Sequence, residues 1–590
     1  MITNKYILGM YIGSFKKACH IYKRVRLTHE SQLLVGYGIR QMLKCVVREY
    51  SKQVFRIMER PIVTVKQGKL QGIIEENLLG SHYLSFKGIP FAAPPVGELR
   101  FKDPQPPASW TGIRDASKNA GDVSAQFHEY PTKRVIGGED CLYLNVYVPH
   151  TLHGTTRNPV MVWIHGGAFH MGSGNDTEKR PDYLIAKDVI LVSINYRLGA
   201  LGFLNLGHEV ASGNQGLKDQ VAALRWIKEN IEVFGGDSNN ITIFGVSAGG
   251  ASAHLLTLSP LAKGLFQKAI FQSGVATCDW AVREDQPESF GLASLFGKDS
   301  QDPVEVAEFL RTIPAAAIAK AQHKVSNKLT ANYVSSLITF GPTIDKTAKT
   351  PFLPCAVSKL LDNGNNIPII VGYTSHEYIM FIRDTDKKFL EAKEAEIPNY
   401  VAKVANTQDP EKIKQLTELI NQRYFQTKPS SENMMPYIRF WSDLHFDIPA
   451  KSLADYRRKK NQAPTYLYRF SYVGDEITST KLMGNKFASL GASHSDETSY
   501  LFYKPACKTD NPEPPAIGTE DRKVMEILTT LWTNFAKTGD PTSVVDRYIT
   551  SKWLPATSNA FNYLEINNTP ELSTVADDDI TFKFQEMIEC

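Results

Sequence analysis

Residues 241–250 read Ile-Thr-Ile-Phe-Gly-Val-Ser-Ala-Gly-Gly. Strand-forming residues and Phe244 run directly into Gly-Val-Ser-Ala-Gly, with Ser247 at its centre. This is the pattern of a strand that ends in a nucleophile elbow. The chain reverses so sharply at the serine that bulky neighbours would collide, and glycines on either side remove the collision. The turn lifts the hydroxyl off a sheet and aims the first turn of the next helix at it. A free serine hydroxyl is a poor nucleophile, and this geometry is one way of activating it. With 40 glycines in the chain, such a pentapeptide also arises by chance. The remaining sequence has to decide.

The chain has 590 residues, 42% hydrophobic and 22% charged, the balance of a globular protein with an ample core. No apolar run approaches the roughly 18 residues that span a bilayer. The net charge of +4 is unevenly placed. Residues 1–60 hold twelve Lys and Arg against three Asp and Glu, a charge of +9, which leaves −5 on residues 61–590. The body is therefore mildly acidic, and nucleic acid is not an expected partner. Seven widely spaced cysteines without a C-x-x-C predict neither a zinc site nor a disulfide framework. Mostly free thiols point to an intracellular, cytoplasmic location. Sequons at Asn175, Asn240 and Asn567 weigh slightly the other way, although Asn240 leads into a predicted core strand.

Two parts are expected. Residues 1–60 form a basic extension. It has no convincing signal peptide, because the apolar stretch 6–13 is short and lacks a good cleavage site. Within it, apolar residues from Met42 to Met58 recur at helical spacing, with Lys44, Arg48, Lys52 and Arg56 opposite. This basic amphipathic helix over residues 40–58 either docks on the body or touches a membrane surface. Residues 61–590 form one large domain. Residues 62–74 predict a hairpin turning near Gly68, and residues 86–101 a proline-punctuated loop. Continuous apolar runs at 160–164, 189–194, 241–244 and 367–371 fit strands buried on both faces, and 465–470 adds a further strand. Residues 217–233 and 523–535 predict amphipathic helices. The rhythm of strand, helix and strand gives an α/β fold with a large, mainly parallel central sheet flanked by helices and carrying long insertions.

Three further segments turn the elbow into a candidate site. Residues 163–169, Trp-Ile-His-Gly-Gly-Ala-Phe, follow a buried strand. A glycine-rich loop there can aim successive backbone N–H groups at one point, where they would stabilise the oxyanion formed when an ester carbonyl is attacked. Glu377 stands just beyond the strand at 367–371, and His494 lies in a Gly/Ser-rich loop, residues 489–497. The chain order Ser247, Glu377, His494 is the nucleophile–acid–histidine order of α/β-hydrolases.

These motifs resemble the type-B carboxylesterases, the cholinesterase/carboxylesterase family, and among them the insect α-esterases. The likeness spans residues 62–585. It rests on F-K-G-I-P-F-A-A-P-P-V-G-E-L-R-F at 86–101, E-D-C-L-Y-L-N-V-Y at 139–147 and N-Q-G-L-K-D-Q at 214–220. F-G-G-D at 234–237 leads into the elbow, and W-T-N-F-A-K-T-G-D-P covers 532–541. The resemblance implies an α/β-hydrolase fold, a triad of Ser247, Glu377 and His494, and oxyanion donors at Gly167, Ala168 and Ala248. Gly166, Val246, Phe169 and Tyr378 become neighbours of the pocket. It implies a serine carboxylesterase that acts through an acyl-enzyme on Ser247, without metal or organic cofactor, and that reacts covalently with organophosphates.

Departures from the family pattern refine the expectation. Val246 stands where the family commonly has Glu, Ala168 where a third Gly is frequent, and Tyr378 where Gly usually follows the catalytic acid. No tryptophan occurs in residues 121–138, where cholinesterases place one to hold choline. Cys141 matches a family disulfide cysteine whose upstream partner is missing here. Uncharged, largely apolar esters of the xenobiotic or lipid type are therefore the expected substrates. Juvenile-hormone-esterase or lipase-like specificity is the alternative. A non-catalytic adhesion or ligand-binding relative would have lost the serine or histidine. The sequence does not speak to the oligomeric state.

Overall fold

The computed structural model describes residues 60–582, apart from residues 129–132, 151–156, 284–285, 287, 326–337, 383–384, 386, 406, 510, 577 and 580. The predicted basic helix at 40–58 lies outside the described residues. Among those described, no helix is long and apolar enough to cross a membrane.

Eleven strands build the central sheet. In chain order they are β1 (Ile73–Glu76), β2 (His82–Pro90), β3 (Tyr143–Pro149), β4 (Asn158–Ile164), β5 (Ile190–Ile194), β6 (Gly236–Val246), β7 (Lys268–Gln272), β8 (Ile369–Thr374), β9 (Thr465–Phe470), β10 (Asn562–Ile566) and β11 (Glu571–Thr574). Their spatial order is β11-β10-β9-β8-β7-β6-β4-β5-β3-β2-β1. From β5 through β4 and β6 to β10 all neighbours are parallel, and the strands beyond them at either end pair antiparallel. Parallel strands need crossovers that cover both faces, which is why residues 160–164, Ile190–Ile194 and residues 241–246 read as near-continuous apolar runs.

The pleat then sorts the side chains. Val160, Val162, Ile164, Ile241 and Ile243 enter one apolar cluster, with helix α1 (Gln215–Asn230) and helix α2 (Ala248–Leu258). Met161, Trp163, Phe244 and Val246 point the other way, into a second cluster. That cluster is closed by helix α5 (Glu520–Thr538), numbered after α3 (Met435–Ser442) and α4 (Ile448–Lys459). α5 begins where the Thr519 hydroxyl accepts from the Arg522 N–H and ends at Gly539, whose φ is +83°.

The predicted hairpin forms between Ile62–Val65 and Gly68–Gln71. One expectation fails. Residues 86–90, read as part of a loop, complete β2. The register slips between Phe86 and Ile89, a bulge that Gly88 permits with φ +64°, and Pro90 sits at the strand end, where a missing N–H costs little. Cys141, Cys278, Cys355 and Cys507 are free thiols.

Candidate active site

β6 delivers Ser247 into the elbow. Its backbone sits at φ 60° and ψ −127°, a strained conformation for a non-glycine residue. Two bonds hold it: the Ser247 N–H donates to the Gln272 carbonyl at the end of β7 (2.8 Å), and the Ala251 N–H donates to the Ser247 carbonyl (2.9 Å). The flanking glycines are required by contact. A Cβ on Gly245 would stand 2.5 Å from the Ile164 carbonyl oxygen, and one on Gly249 only 2.1 Å from the same atom. α2 therefore starts at Ala248 directly behind the hydroxyl, with its first N–H groups lacking intrahelical partners.

The loop after β4 approaches the serine closely. A Cβ on Gly166 would lie 3.1 Å from Ser247 Cβ. Gly167, Ala168 and Phe169 all have positive φ, at 108°, 52° and 59°. Successive positive-φ residues make the loop curl, and it closes through the N–H groups of His170 and Met171 donating to the Gly167 carbonyl (3.0 Å each). Below the loop, His165 stacks on Tyr196 (4.4 Å) while the Tyr196 hydroxyl donates to the His165 carbonyl (3.0 Å). Phe169 is fully buried against Phe203. Such a curl leaves backbone N–H groups for an incoming anion.

Glu377 and His494 meet across 117 residues of chain. Glu377 Oε2 lies 2.6 Å from His494 Nδ1, and Glu377 Oε1 accepts from the Thr374 N–H at the end of β8 (2.7 Å). The carboxylate is completely buried. His494 Nε2 is buried with no hydrogen-bond partner, and so remains the open position of the ring. With Nδ1–H given to the carboxylate, Nε2 carries the lone pair that a general base needs. The structure thus joins the acid to the histidine, while the serine–histidine bond is not closed in the free protein, as is common before substrate binds.

Aromatic and polar side chains surround the pair, some of which sequence reasoning missed. Phe381 and Phe446 pack on the His494 ring, at 5.2 and 4.8 Å between centroids, and stack on each other. Tyr378 is buried and stacks against Trp441 and His445, while Val246 joins Trp163, Phe244 and Tyr468 in the second cluster. His445 is itself held by Asp279 (2.8 Å). Glu497, one turn after His494, is fully buried and accepts from Gln272 Nε2 (3.0 Å); Gln272 Oε1 accepts from Trp532 Nε1. Burial, and then the neighbouring Glu377 charge, push the Glu497 carboxyl up to about 7. An acid three residues beyond a candidate histidine was visible in the sequence. Phe381, Phe446 and Gln272 carry no local signal. Among the described residues, no cluster of three His, Cys, Asp or Glu could hold a metal ion.

The carboxylesterase family model matches residues 59–583. The chain belongs to the carboxylesterase family. This carboxylesterase is 36% identical to esterase E4 of Myzus persicae, over 85% of its own chain and 89% of that relative. It is 34% identical to a juvenile hormone esterase of Tribolium castaneum, over 82% of its own chain and 84% of the relative. Among solved structures, juvenile hormone esterase from Manduca sexta, with OTFP covalently attached, superposes with a TM-score of 0.77 at 30% identity. The match covers 90% of this carboxylesterase and 99% of that chain. The enzyme is a serine ester hydrolase with an α/β-hydrolase fold.

Proposed function

We propose that this carboxylesterase cleaves uncharged, largely apolar carboxylesters through an acyl-enzyme on Ser247. The observation that carries the reading is the buried Glu377–His494 pair, whose free Nε2 sits under the rings of Phe381 and Phe446. His494 Nε2 takes the Ser247 proton as the oxygen attacks the ester carbonyl. Glu377 holds the ring in the useful tautomer and stabilises its positive charge. The N–H groups of Gly167, Ala168 and Ala248 receive the oxyanion, each worth roughly 3 kcal/mol in the transition state. His494 then protonates the departing alcohol. Water attacks the acyl-enzyme by the same route and releases the acid. The aromatic rings on His494 exclude water and favour apolar acyl or alcohol groups over charged ones.

Hydrolysis of a p-nitrophenyl ester series of increasing acyl length, with Ser247→Ala alongside, tests the reading. The expected outcome is burst kinetics that persist to longer acyl chains and a loss of about 10⁴-fold or more in Ser247→Ala. Peptide mapping after organophosphate treatment should place the adduct on Ser247. An adduct elsewhere, or full activity in Ser247→Ala, refutes the assignment.

A further inference from the structure

Beside the catalytic acid, a separate polar cavity of about 400 Å³ opens, lined by His376, Arg423, Arg439 and Arg469 among others. Three carboxylates also line it, and each is already engaged. Asp447 and Asp579 both pair with Lys451 (3.1 and 2.9 Å), and Asp443 accepts from the Tyr424 hydroxyl (2.6 Å). Burial, and then the adjacent Asp447, push Asp443 up to about 7, so its charge is only partial at neutrality.

The guanidinium groups are in the opposite condition. Among the described residues, neither Arg423 nor Arg439 has a carboxylate within salt-bridge distance. Arg469 has only Glu565, at a long 3.6 Å. Among the described residues, none of the three side chains donates a hydrogen bond to a protein acceptor. A guanidinium offers five N–H donors in a planar fork that matches carboxylate or phosphate oxygens. Three such forks around one cavity, with the local acids engaged by other partners, present converging donors that suit an oxyanion.

The cavity is tied to the catalytic loops. His376 immediately precedes Glu377. Its N–H donates to the Ala492 carbonyl (2.9 Å), its ring meets the Ser375 hydroxyl (2.8 Å), and that hydroxyl accepts from the Ala492 N–H (3.2 Å). The ring presses on Gly491, where a Cβ would come within 1.9 Å of Nδ1. Burial, and then Arg469 and Arg439, hold His376 down at about 4, so the positive charge in the cavity comes from the three arginines and from Lys451, which is paired with Asp447 and Asp579.

We propose that Arg423, Arg439 and Arg469 form a binding site for a small oxyanion, a carboxylate or a phosphate, distinct from the ester site and one residue removed from the catalytic acid. The test is calorimetric titration of the full chain, at constant ionic strength in chloride, with inorganic phosphate in one arm and acetate in the other. The expected result is saturable binding in at least one arm. Its Kd should rise about tenfold or more in Arg423→Gln/Arg439→Gln and stay unchanged in Ser247→Ala. The arm that saturates identifies the anion. Both arginines are exposed, and wild-type ester hydrolysis by the double variant in anion-free buffer reports its intact fold. If that variant is inactive, Arg439→Lys, which keeps the charge and loses the fork, should show the same weakening. Absence of saturation in both arms, wild-type affinity in the arginine variants, or loss of binding in Ser247→Ala overturns the proposal.

Discussion

At the scale of single residues, the site depends on where charge is permitted. Glu377 is buried as the partner of His494, and a second ionised carboxylate so close would compete with it. Glu497 is only partly ionised at neutrality because of burial and of Glu377, and it accepts a bond from a neutral amide, Gln272. The sign of the stability effect follows. Between the unfolded carboxyl value near 4.5 and about 7, the folded protein holds a proton that the unfolded chain has lost, so this group destabilises the fold progressively as pH rises. Glu497→Gln keeps the acceptor for Gln272 and removes the titration. Its urea-unfolding free energy should match wild type near pH 5 and exceed it by roughly 3 kcal/mol at pH 8. Equal curves at both pH values would place the ionisation of Glu497 outside the working range. The three departures from the family pattern also acquire surroundings. Ala168 adopts φ 52° at the cost of some strain, Tyr378 fills an aromatic stack, and Val246 packs into the second cluster.

Among the elements, the segment after α3 is one that sequence reading could not supply. Residues Asp443–Asp447 form a single π-turn between α3 and α4. A π-turn inserts a residue into the helical repeat and so rotates the side chains that follow it. Phe446 reaches His494 from this turn, and His445 from the same turn stacks on Trp441. Nothing in Asp-Leu-His-Phe-Asp announces the turn, because its i→i+5 bonds depend on what packs around it. Phe446→Ala should therefore act on the acyl pocket more than on the chemistry. The expected effect is a fall in kcat/KM of about tenfold for long-chain p-nitrophenyl esters, against a few-fold for the acetate. A uniform loss across chain lengths would assign Phe446 to positioning His494 instead. The elbow is the opposite case. Gly245, Ser247 and Gly249 were legible as a strand-to-helix turn because the sterics that require glycine there are local.

Across the whole molecule, burial keeps four histidines neutral. His165, His170 and His376 are held down at about 4, and His254 at about 3, each mainly by burial. The unfolded chain takes up protons near pH 6.5 that the folded protein refuses until about 4. These four groups therefore lower stability as pH falls from 6.5 towards 4. Thermal-unfolding midpoints should drop across that window, and His254→Gln, which keeps an acceptor for the Ala276 N–H, should reduce the drop. An unchanged profile in the variant would mean that another group carries the acid sensitivity. The same scale separates what was legible from what was not. The sequence by itself determined the parallel core, the elbow at Ser247, the glycine-rich loop and the order of the three catalytic candidates. Each rests on local sterics or on the two-sided burial of strands, which leave their mark in neighbouring residues. Tertiary structure alone decided that Glu377 meets His494 at 2.6 Å, that Phe381 and Phe446 cover the imidazole, and that three arginines share one cavity. Those arrangements join residues tens to hundreds of positions apart, and the packing of sheet, helices and insertions sets their distances.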